Sequence, residues 1–124
     1  MLINNTGIEH VGIAEETTLE DAQAVFETNF FGVVRMTNAV LPGMRQKRQG
    51  RIINVGSAAA WFGEPGEAFY SASKHALAGY TEALRQEVWP LGIHVSLVEL
   101  GAFKTNIIQA ASTGDGKITD YAAG

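Results

Sequence analysis

The chain has 124 residues, of which 46% are hydrophobic and 18% are charged, and its formal net charge is −4. These values predict one globular domain and exclude a disordered chain, and the longest basic run, Arg45-Gln46-Lys47-Arg48, is too short to favour a nucleic-acid partner. The sequence has no cysteine and no apolar run of transmembrane length, so we expect a cytoplasmic protein without disulfides or a membrane span.

The first predicted elements are a short strand and a helix, separated by a loop. Met1-Leu2-Ile3-Asn4 predicts the end of a buried strand, and the polar turn Asn4-Asn5-Thr6-Gly7 follows it. Residues 8–17 are predicted to form a loop. Thr18, with Asp21 three residues later, is typical of a helix start, because a threonine side chain can cap free N–H groups of the first turn.

Apolar side chains at helical spacing predict a long helical region over residues 19–48. The spacing is set by Phe26, Phe30, Val33, Thr37, Val40 and Met44. Pro42 is expected to kink this helix or to end its regular part. Asn29 is a poor residue for a helix interior. It is therefore either a polar side chain tolerated at a helix crossing or a functional group.

The segment 51–79 combines a strand, a glycine-rich loop and the start of a helix. The strand, from Arg51 to Val55, is almost continuously apolar, which predicts a parallel strand covered on both faces. A helix is predicted from about Ala68 to Val88. It carries a stripe of bulky residues and a stripe of small ones that would allow close approach of another helix. The bulky stripe is Leu77, Thr81, Leu84 and Val88, and the small stripe is Ala72, Ala76, Gly79 and Ala83.

Three polar residues of this segment suit proton transfer to oxygen. Tyr70 and Lys74 are four residues apart, so they share one helix face. A neighbouring ammonium favours phenolate and is expected to lower the pKa of Tyr70. Ser57, at the end of the strand, supplies a hydroxyl that could bind a carbonyl or alcohol oxygen. The alternative interpretation is a strand-end serine and a surface Tyr–Lys pair.

A further strand is predicted over residues 93–98, after a helix end at Trp89-Pro90-Leu91-Gly92. Strands and helices thus alternate, which predicts an α/β fold with a doubly wound parallel sheet. Ligands of such sheets bind beyond the carboxyl ends of the strands. Asn4, Ser57 and Gly101 all lie at or just after a predicted strand end.

Ser57 followed by Tyr70-Ser71-Ala72-Ser73-Lys74 closely resembles the serine and YxxxK pattern of the short-chain dehydrogenase/reductase family. The resemblance implies hydride transfer between NAD or NADP and an alcohol/ketone substrate. It implies Tyr70 as general acid/base, Lys74 as the group that lowers its pKa and holds the nicotinamide ribose, and Ser57 as the ligand of the substrate oxygen. Asn29, in a run similar to the family's NxxG element, would complete the proton relay.

The resemblance also implies cofactor contacts. Asn4-Asn5-Thr6-Gly7 resembles the family's NNAG motif, with Thr6 in place of alanine, which assigns Asn4 and Gly7 to the cofactor cleft. Tyr70 and Lys74 are assigned to the nicotinamide end, together with Gly101, Phe103 and Thr105. Leu100 stands where the family has proline. The sequence is most similar to the hydroxysteroid and retinol dehydrogenase branch.

The family's TGxxxGxG turn has no counterpart in this sequence. We therefore expect a single truncated domain over residues 1–124, with a partial Rossmann-like sheet that lacks the N-terminal Gly-rich βα units and a flexible tail over residues 106–124. By itself such a chain is expected to be a weak or inactive enzyme.

The serious alternative to an enzyme is an oligomerisation or interaction module. A homodimer or higher homo-oligomer is expected through the 19–48 and 68–88 helices. A serine hydrolase is disfavoured because Val55-Gly56-Ser57-Ala58-Ala59 lacks the second glycine of GxSxG. A metal site is not expected, since no His or acidic pair has ligand spacing.

Overall fold

The computed structural model describes residues 1–5, 10–56, 63, 65–99 and 112–113. Its strands are β1 (Leu2–Asn4), β2 (His10–Val11), β3 (Gly50–Gly56), β4 (Ile93–Glu99) and β5 (Ser112–Thr113). Its helices are α1 (Leu19–Phe26), α2 (Gly32–Lys47) and α3 (Ala68–Val88), with a π-helical turn at Glu27–Phe31 and 3₁₀ turns at Ala14–Glu16 and Trp89–Leu91. No helix of the described ranges has a stretch long and apolar enough to cross a membrane.

The main sheet has three parallel strands in the order β1-β3-β4. The register pairs Asn4 with Asn54, and Asn54 in turn with Leu97. Each connection moves one strand along the sheet and contains a helix, as parallel pairing requires. The predicted α/β fold with a parallel sheet is therefore confirmed.

The described helices cover one face of this sheet. Alternate strand residues are buried against them, namely Asn4, Ile52, Asn54, Ile93 and Val95. On the opposite face the side chains of Ile3 and Val98 are 54% and 42% exposed. In β3 itself, Ile53 and Val55 on that face are half-buried and Arg51 is exposed, so the described residues cover this face of the strand only in part. Two right-handed crossovers in the same direction place their helices on the same face, so the second face needs a layer that the described residues do not form.

The first helical region begins as predicted and is interrupted at a different place. The Thr18 side chain accepts a hydrogen bond from the backbone N–H of Asp21 at 3.1 Å, which caps α1. α2 continues through Pro42 to Lys47, so Pro42 does not end it. Pro42 lies on the exposed side, where water can satisfy the carbonyl that loses its partner. The break in the regular α-helix lies at Glu27–Phe31 instead.

α3 has the predicted limits and supplies much of the core. Its bulky stripe, Leu77, Thr81, Leu84 and Val88, is buried, and Leu84 and Val88 pack with Ile52, Ile93 and Val95 of the sheet. The small stripe is exposed at Ala72, Gly79 and Ala83. The helix ends through a 3₁₀ turn at Gly92, which has a φ of 78°. A side chain at Gly92 would collide with the carbonyl of Arg48, so glycine is required there for space as well as for backbone conformation.

Two short elements were missed by the sequence analysis. β2 lies in the segment predicted as a loop, and it pairs in parallel with β5, with His10 opposite Ser112. Gly12 also donates a backbone hydrogen bond to the carbonyl of Gly66 at 2.7 Å. Strands of two residues have no detectable hydrophobic period, so only tertiary contacts can define them. These contacts hold the start of the 10–17 segment beside the residues that lead into α3.

Candidate active site

Tyr70 and Lys74 lie on the first two turns of α3, and both are buried at 6% and 5% exposure. The Lys74 Nζ atom lies 5.7 Å from the centroid of the Tyr70 ring, which is within the range of a cation–π interaction. The predicted proximity of the two side chains is therefore confirmed. The alternative of a surface Tyr–Lys pair is wrong, because neither side chain is exposed.

Burial also changes the acidity of the ammonium group. The pKa of Lys74 is lowered from its ordinary value of 10.5, because desolvation disfavours the charged form. A buried ammonium is stabilised by electron-rich partners, such as a tyrosine ring, a phenolate or sugar hydroxyls. Lys74 is therefore suited to interact with the phenol of Tyr70 and with a polar ligand at the same time.

Asn29 is brought to α3 by the π-helical turn. Its side chain is 0% exposed, and its Nδ2 donates to the Ser73 Oγ at 3.1 Å. Ser73 in turn donates to the backbone carbonyl of Tyr70 at 2.7 Å. Asn29 is thus connected through Ser73 to the helix turns that carry Tyr70 and Lys74, although 41 or more residues separate it from both. A π turn within a helix is frequent at functional sites, which favours the functional interpretation of Asn29.

The side chain of Asn4 points into the protein. Its Nδ2 donates to the Asn54 Oδ1 at 2.8 Å, and the Asn54 Nδ2 donates to the Thr81 Oγ1 at 2.9 Å. Thr81 donates onward to the carbonyl of Leu77 at 2.7 Å. This polar chain links β1, β3 and α3 through the apolar layer. Asn4 therefore ties β1 to β3, and its cofactor contact remains a prediction.

Sequence reasoning did not single out Ser73, Asn54 or Thr81 as members of polar networks. A signal was present for Asn54, which is an amide between Ile53 and Val55 in an otherwise apolar strand. Buried polar side chains need hydrogen-bond partners, so such a residue points to a partner in the opposite layer. Ser73 and Thr81 are ordinary residues for an amphipathic helix, and only the packing shows their roles.

The other predicted site residues, Gly7, Ser57, Gly101, Phe103 and Thr105, lie outside the described residues. Of the predicted catalytic set, the described structure therefore pairs Tyr70 with Lys74 and connects Asn29 to their helix through Ser73. A groove of ≈ 450 Å³ lies elsewhere, between α3 and β4. It is lined by Ala78, Gly79, Thr81, Glu82, Arg85, Val95, Ser96, Leu97 and Glu99.

The sequence of the chain matches a known family and curated relatives. Residues 1–116 match the family model described as short chain dehydrogenase. A 3-ketodihydrosphingosine reductase of Bacteroides thetaiotaomicron is 46% identical over 124 residues, covering 98% of this chain and 46% of the relative. Retinol dehydrogenase 8 of Bos taurus is 40% identical over 124 residues, covering 97% of this chain and 40% of the relative. The chain thus spans less than half the length of these relatives.

Solved structures agree with these matches. A short-chain dehydrogenase from Streptomyces avermitilis superposes with a TM-score of 0.88 at 40% identity, covering 98% of this chain and 46% of the other. An NAD+-bound xylitol dehydrogenase superposes at 0.77 and 30% identity, with coverage of 81% and 39%. A gluconate 5-dehydrogenase from Burkholderia cenocepacia in complex with NADP superposes at 0.83 and 28% identity, with coverage of 88% and 43%. Together with the buried tyrosine–lysine pair, these matches show that the chain belongs to the short-chain dehydrogenase family, and that it resembles the family's retinol dehydrogenase branch.

Proposed function

We propose that the chain serves reversible oxidation of an alcohol to a ketone, or the reverse reduction, with NAD or NADP as hydride carrier. The observation that supports this most is the buried Tyr70–Lys74 pair, with the Lys74 ammonium 5.7 Å from the tyrosine ring. Such a reaction needs a group that exchanges a proton with the substrate oxygen. A cation held away from water beside that group can stabilise its deprotonated form. The names of the two relatives, a ketone reductase and an alcohol dehydrogenase, support the same substrate class.

In the direction of reduction, the nicotinamide would supply a hydride to the carbonyl carbon of the substrate. The Tyr70 phenol donates its proton to the carbonyl oxygen, and the Lys74 ammonium stabilises the phenolate that remains. Ser57 hydrogen-bonds the same substrate oxygen. Asn29 connects the pair to the proton supply. In the direction of oxidation each proton moves the opposite way, with Tyr70 as base.

The described residues fit a nicotinamide dinucleotide at one point. Burial lowers the pKa of Lys74 by desolvation, and an ammonium carries three N–H donors for which ribose hydroxyls are suitable acceptors. Lys74 would therefore hold the nicotinamide ribose, and Asn4, Gly7, Gly101, Phe103 and Thr105 are proposed as further cofactor contacts. Solved relatives contain NAD in one case and NADP in another, so we propose a nicotinamide cofactor of either kind.

We propose that the 124-residue chain alone binds these cofactors weakly and turns over slowly or not at all. Positioning of the reacting groups is a large share of catalysis, and remote contacts to the cofactor supply binding energy for it. The Gly-rich turn that seats a pyrophosphate has no counterpart in this sequence. Calorimetric titration with NADH and NADPH tests this, and micromolar binding with turnover of a model ketone would contradict it.

The chemistry itself is best tested in a chimera, in which this chain replaces its matched segment in the Bacteroides relative. We expect the chimera to reduce that relative's ketone, and Tyr70→Phe to lower the rate by about 10²–10⁴-fold, since a positioned acid/base contributes about that much. Tyr80→Phe is the control, because Tyr80 lies on the same helix but packs against Phe30, away from the pair. Unchanged turnover in Tyr70→Phe would refute the assigned role.

A second candidate function is an oligomerisation module without catalysis. The exposure of Ala72, Gly79 and Ala83 on α3 favours it, because small exposed side chains allow a second helix to approach closely. A homodimer that binds neither NADH nor NADPH, together with an inactive chimera, would support the module. Cofactor binding by the chain or turnover by the chimera would support the enzyme.

A further inference from the structure

An exposed ion pair lies across the π-helical turn that carries Asn29. The Nη1 atom of Arg35, on α2, lies 2.5 Å from the Oε1 atom of Glu27, the first residue of the turn. The Nη2 atom of the same arginine donates to the backbone carbonyl of Glu27 at 3.4 Å. One guanidinium group thus contacts both the side chain and the backbone of Glu27. Two arms of a planar fork are used at once, which gives the contact a defined direction.

The carbonyl that Arg35 contacts is also the acceptor that closes the π-helical turn. It accepts a hydrogen bond from the backbone N–H of Gly32, five residues later. In a regular α-helix the same carbonyl would accept from the N–H of Phe31, four residues later. A carbonyl oxygen has two lone pairs, so it can bind Gly32 and Arg35 together. The arginine therefore adds a second contact to this acceptor and does not replace the i→i+5 bond.

Helix geometry indicates that Arg35 and Glu27 meet because of the π-helical turn. In an α-helix, residues eight apart differ by about 80° around the axis and by about 12 Å along it, and side-chain pairs form at three or four residues instead. A turn closed by an i→i+5 bond contains more residues and therefore rotates less per residue. The lower rotation brings position 35 closer to the line of position 27. The ion pair therefore favours the π-helical turn over a regular one.

The buried positions of this helical region fit the same turn. From Val25 onward they are Val25, Asn29, Val33 and Thr37, at intervals of four residues. Each such step drifts by about 40° around an α-helix, so three steps would rotate Thr37 by about 120° from Val25. The π-helical turn lies between Val25 and Val33 and takes up part of this rotation. A change to α-helical bonding would therefore move Asn29 relative to the buried residues on either side of it.

We infer that Arg35 is a positioning residue, which stabilises the π-helical turn and so holds Asn29 at α3. From this turn the Asn29 side chain reaches Ser73 of α3. Arg35 acts on the backbone that carries Asn29, and not on the orientation of its amide. Packing of the buried side chains also holds the turn, and the ion pair adds to it. The catalytic consequence rests on the proposed function of Asn29, whereas the effect of Arg35 on the turn is independent of that function.

The effect on the turn is tested by nuclear magnetic resonance on the 124-residue chain with 15N-labelled glycine. The readout is exchange of the Gly32 amide proton with water, because its acceptor is the Glu27 carbonyl. Gly32→Ala identifies the signal. In Arg35→Met we expect exchange to be about two- to fivefold faster, the range that exposed ion pairs contribute. Arg45→Met, at another exposed arginine of α2, is the control and should leave Gly32 exchange unchanged.

Salt and two further variants separate loss of the ion pair from loss of side-chain volume. Salt at about 1 M should bring the wild-type rate close to that of Arg35→Met in the same salt. Arg35→Lys keeps the charge without the planar fork and should give an intermediate rate, which also decides if Arg35→Met does not fold. In a Glu27→Ala chain, Arg35→Met should accelerate exchange less than in wild type, since the two partners are coupled. Equal Gly32 exchange in wild type and folded Arg35→Met would overturn the inference.

The catalytic consequence is tested in the chimera. Arg35→Met should lower kcat about two- to fivefold with little change in KM, because the proton relay is disturbed and substrate binding is not. It should add nothing to Asn29→Ala, since both changes act through the same residue. Faster Gly32 exchange with unchanged kcat would overturn the positioning role. Absence of turnover in every variant would refute the proposed function, whereas Gly32 exchange would still decide whether Arg35 stabilises the turn.

Discussion

The two halves of α3 are both buried, but they bury different chemistry. The first two turns bury polar side chains, namely Tyr70, Ser71, Ser73 and Lys74. The remaining turns bury Leu77, Leu84 and Val88, the last two against the sheet, with Thr81 as the one buried polar residue. Burial of aliphatic side chains stabilises the fold, whereas burial of an ammonium or a hydroxyl costs free energy that its partners must offset. One continuous helix thus carries the proposed proton-transfer pair in its first turns and apolar core residues in its later turns.

The largest expected effect on stability comes from the apolar half. Leu84 is 7% exposed and packs in the core cluster with Ile52 and Val95. Leu84→Ala should lower the free energy of unfolding by about 2–5 kcal/mol, through lost burial and a residual cavity. Urea denaturation measures this. Leu19→Ala is the matched control, because Leu19 is 76% exposed and its truncation should change the free energy by less than about 0.5 kcal/mol. Equal losses in the two variants would show that the buried leucine of α3 contributes no more to stability than an exposed leucine does.

The polar exception in the apolar half is expected to have a smaller effect. Thr81→Val keeps the shape of the side chain but leaves the Asn54 Nδ2 without its acceptor. We expect a loss of about 1–3 kcal/mol in the free energy of unfolding, the usual cost of an unsatisfied buried donor. Thr81→Ser keeps the hydroxyl and should lose less. A more stable Thr81→Val variant would show that the chain of hydrogen bonds from Asn4 to Thr81 is not needed for folding.

The buried charge of the polar half should be visible in the pH dependence of stability. The pKa of Lys74 is lowered by burial from 10.5, so the folded chain loses this proton at a lower pH than the unfolded chain. Between the lowered pKa and 10.5 the unfolded state binds more protons, and the free energy of unfolding therefore rises with pH. This stabilising contribution is fully present above 10.5 and is lost as pH falls through the folded pKa. Lys74→Met should lack the rise.

The measurement is urea denaturation of both chains from about pH 8 to about pH 11, a range that spans ordinary lysine titration. Tyr80 acts in the opposite direction, because burial raises its pKa, but it is present in both chains and cancels in the difference. Lys47→Met, at an exposed position of α2, should keep the wild-type rise. If the free energies of unfolding of wild type and Lys74→Met change with pH in the same way, burial does not lower the pKa of Lys74 in the folded chain.

The exposed small stripe of α3 should matter for association and not for folding. We predict that the chain forms a homodimer or higher oligomer through the 19–48 and 68–88 helices. Gly79→Arg should dissociate it in sedimentation experiments, because a Cβ at Gly79 meets nothing within 4 Å in the isolated chain but would obstruct a second helix. Gly63→Arg is the control, since Gly63 is equally unobstructed and lies outside both helices. A stable monomer of the wild-type chain at high concentration would refute the prediction.

Local patterns in the sequence determined most of the elements and the pairing of Tyr70 with Lys74. The Thr18 cap, the limits of α3 and the four-residue spacing of Tyr70 and Lys74 depend on neighbouring residues only, so they are present in the sequence before the chain folds. The alternation of strands and helices likewise predicted the parallel sheet. The second face of β3 is only partly covered by the described residues, because strand composition reports a preference for burial and not which layers are present.

Tertiary structure decided the features that depend on residues far apart in sequence. The meeting of Asn29 with Ser73, across 44 residues, requires the π-helical turn and the packing of the first helical region on α3. The chain of hydrogen bonds from Asn4 through Asn54 to Thr81 requires the strand register and the position of α3 over β3. A buried polar group needs partners in three dimensions, and a sequence names the group without naming the partner. For the same reason the hydrogen bonds of Ser73, which lies inside the YxxxK segment, follow only from the fold.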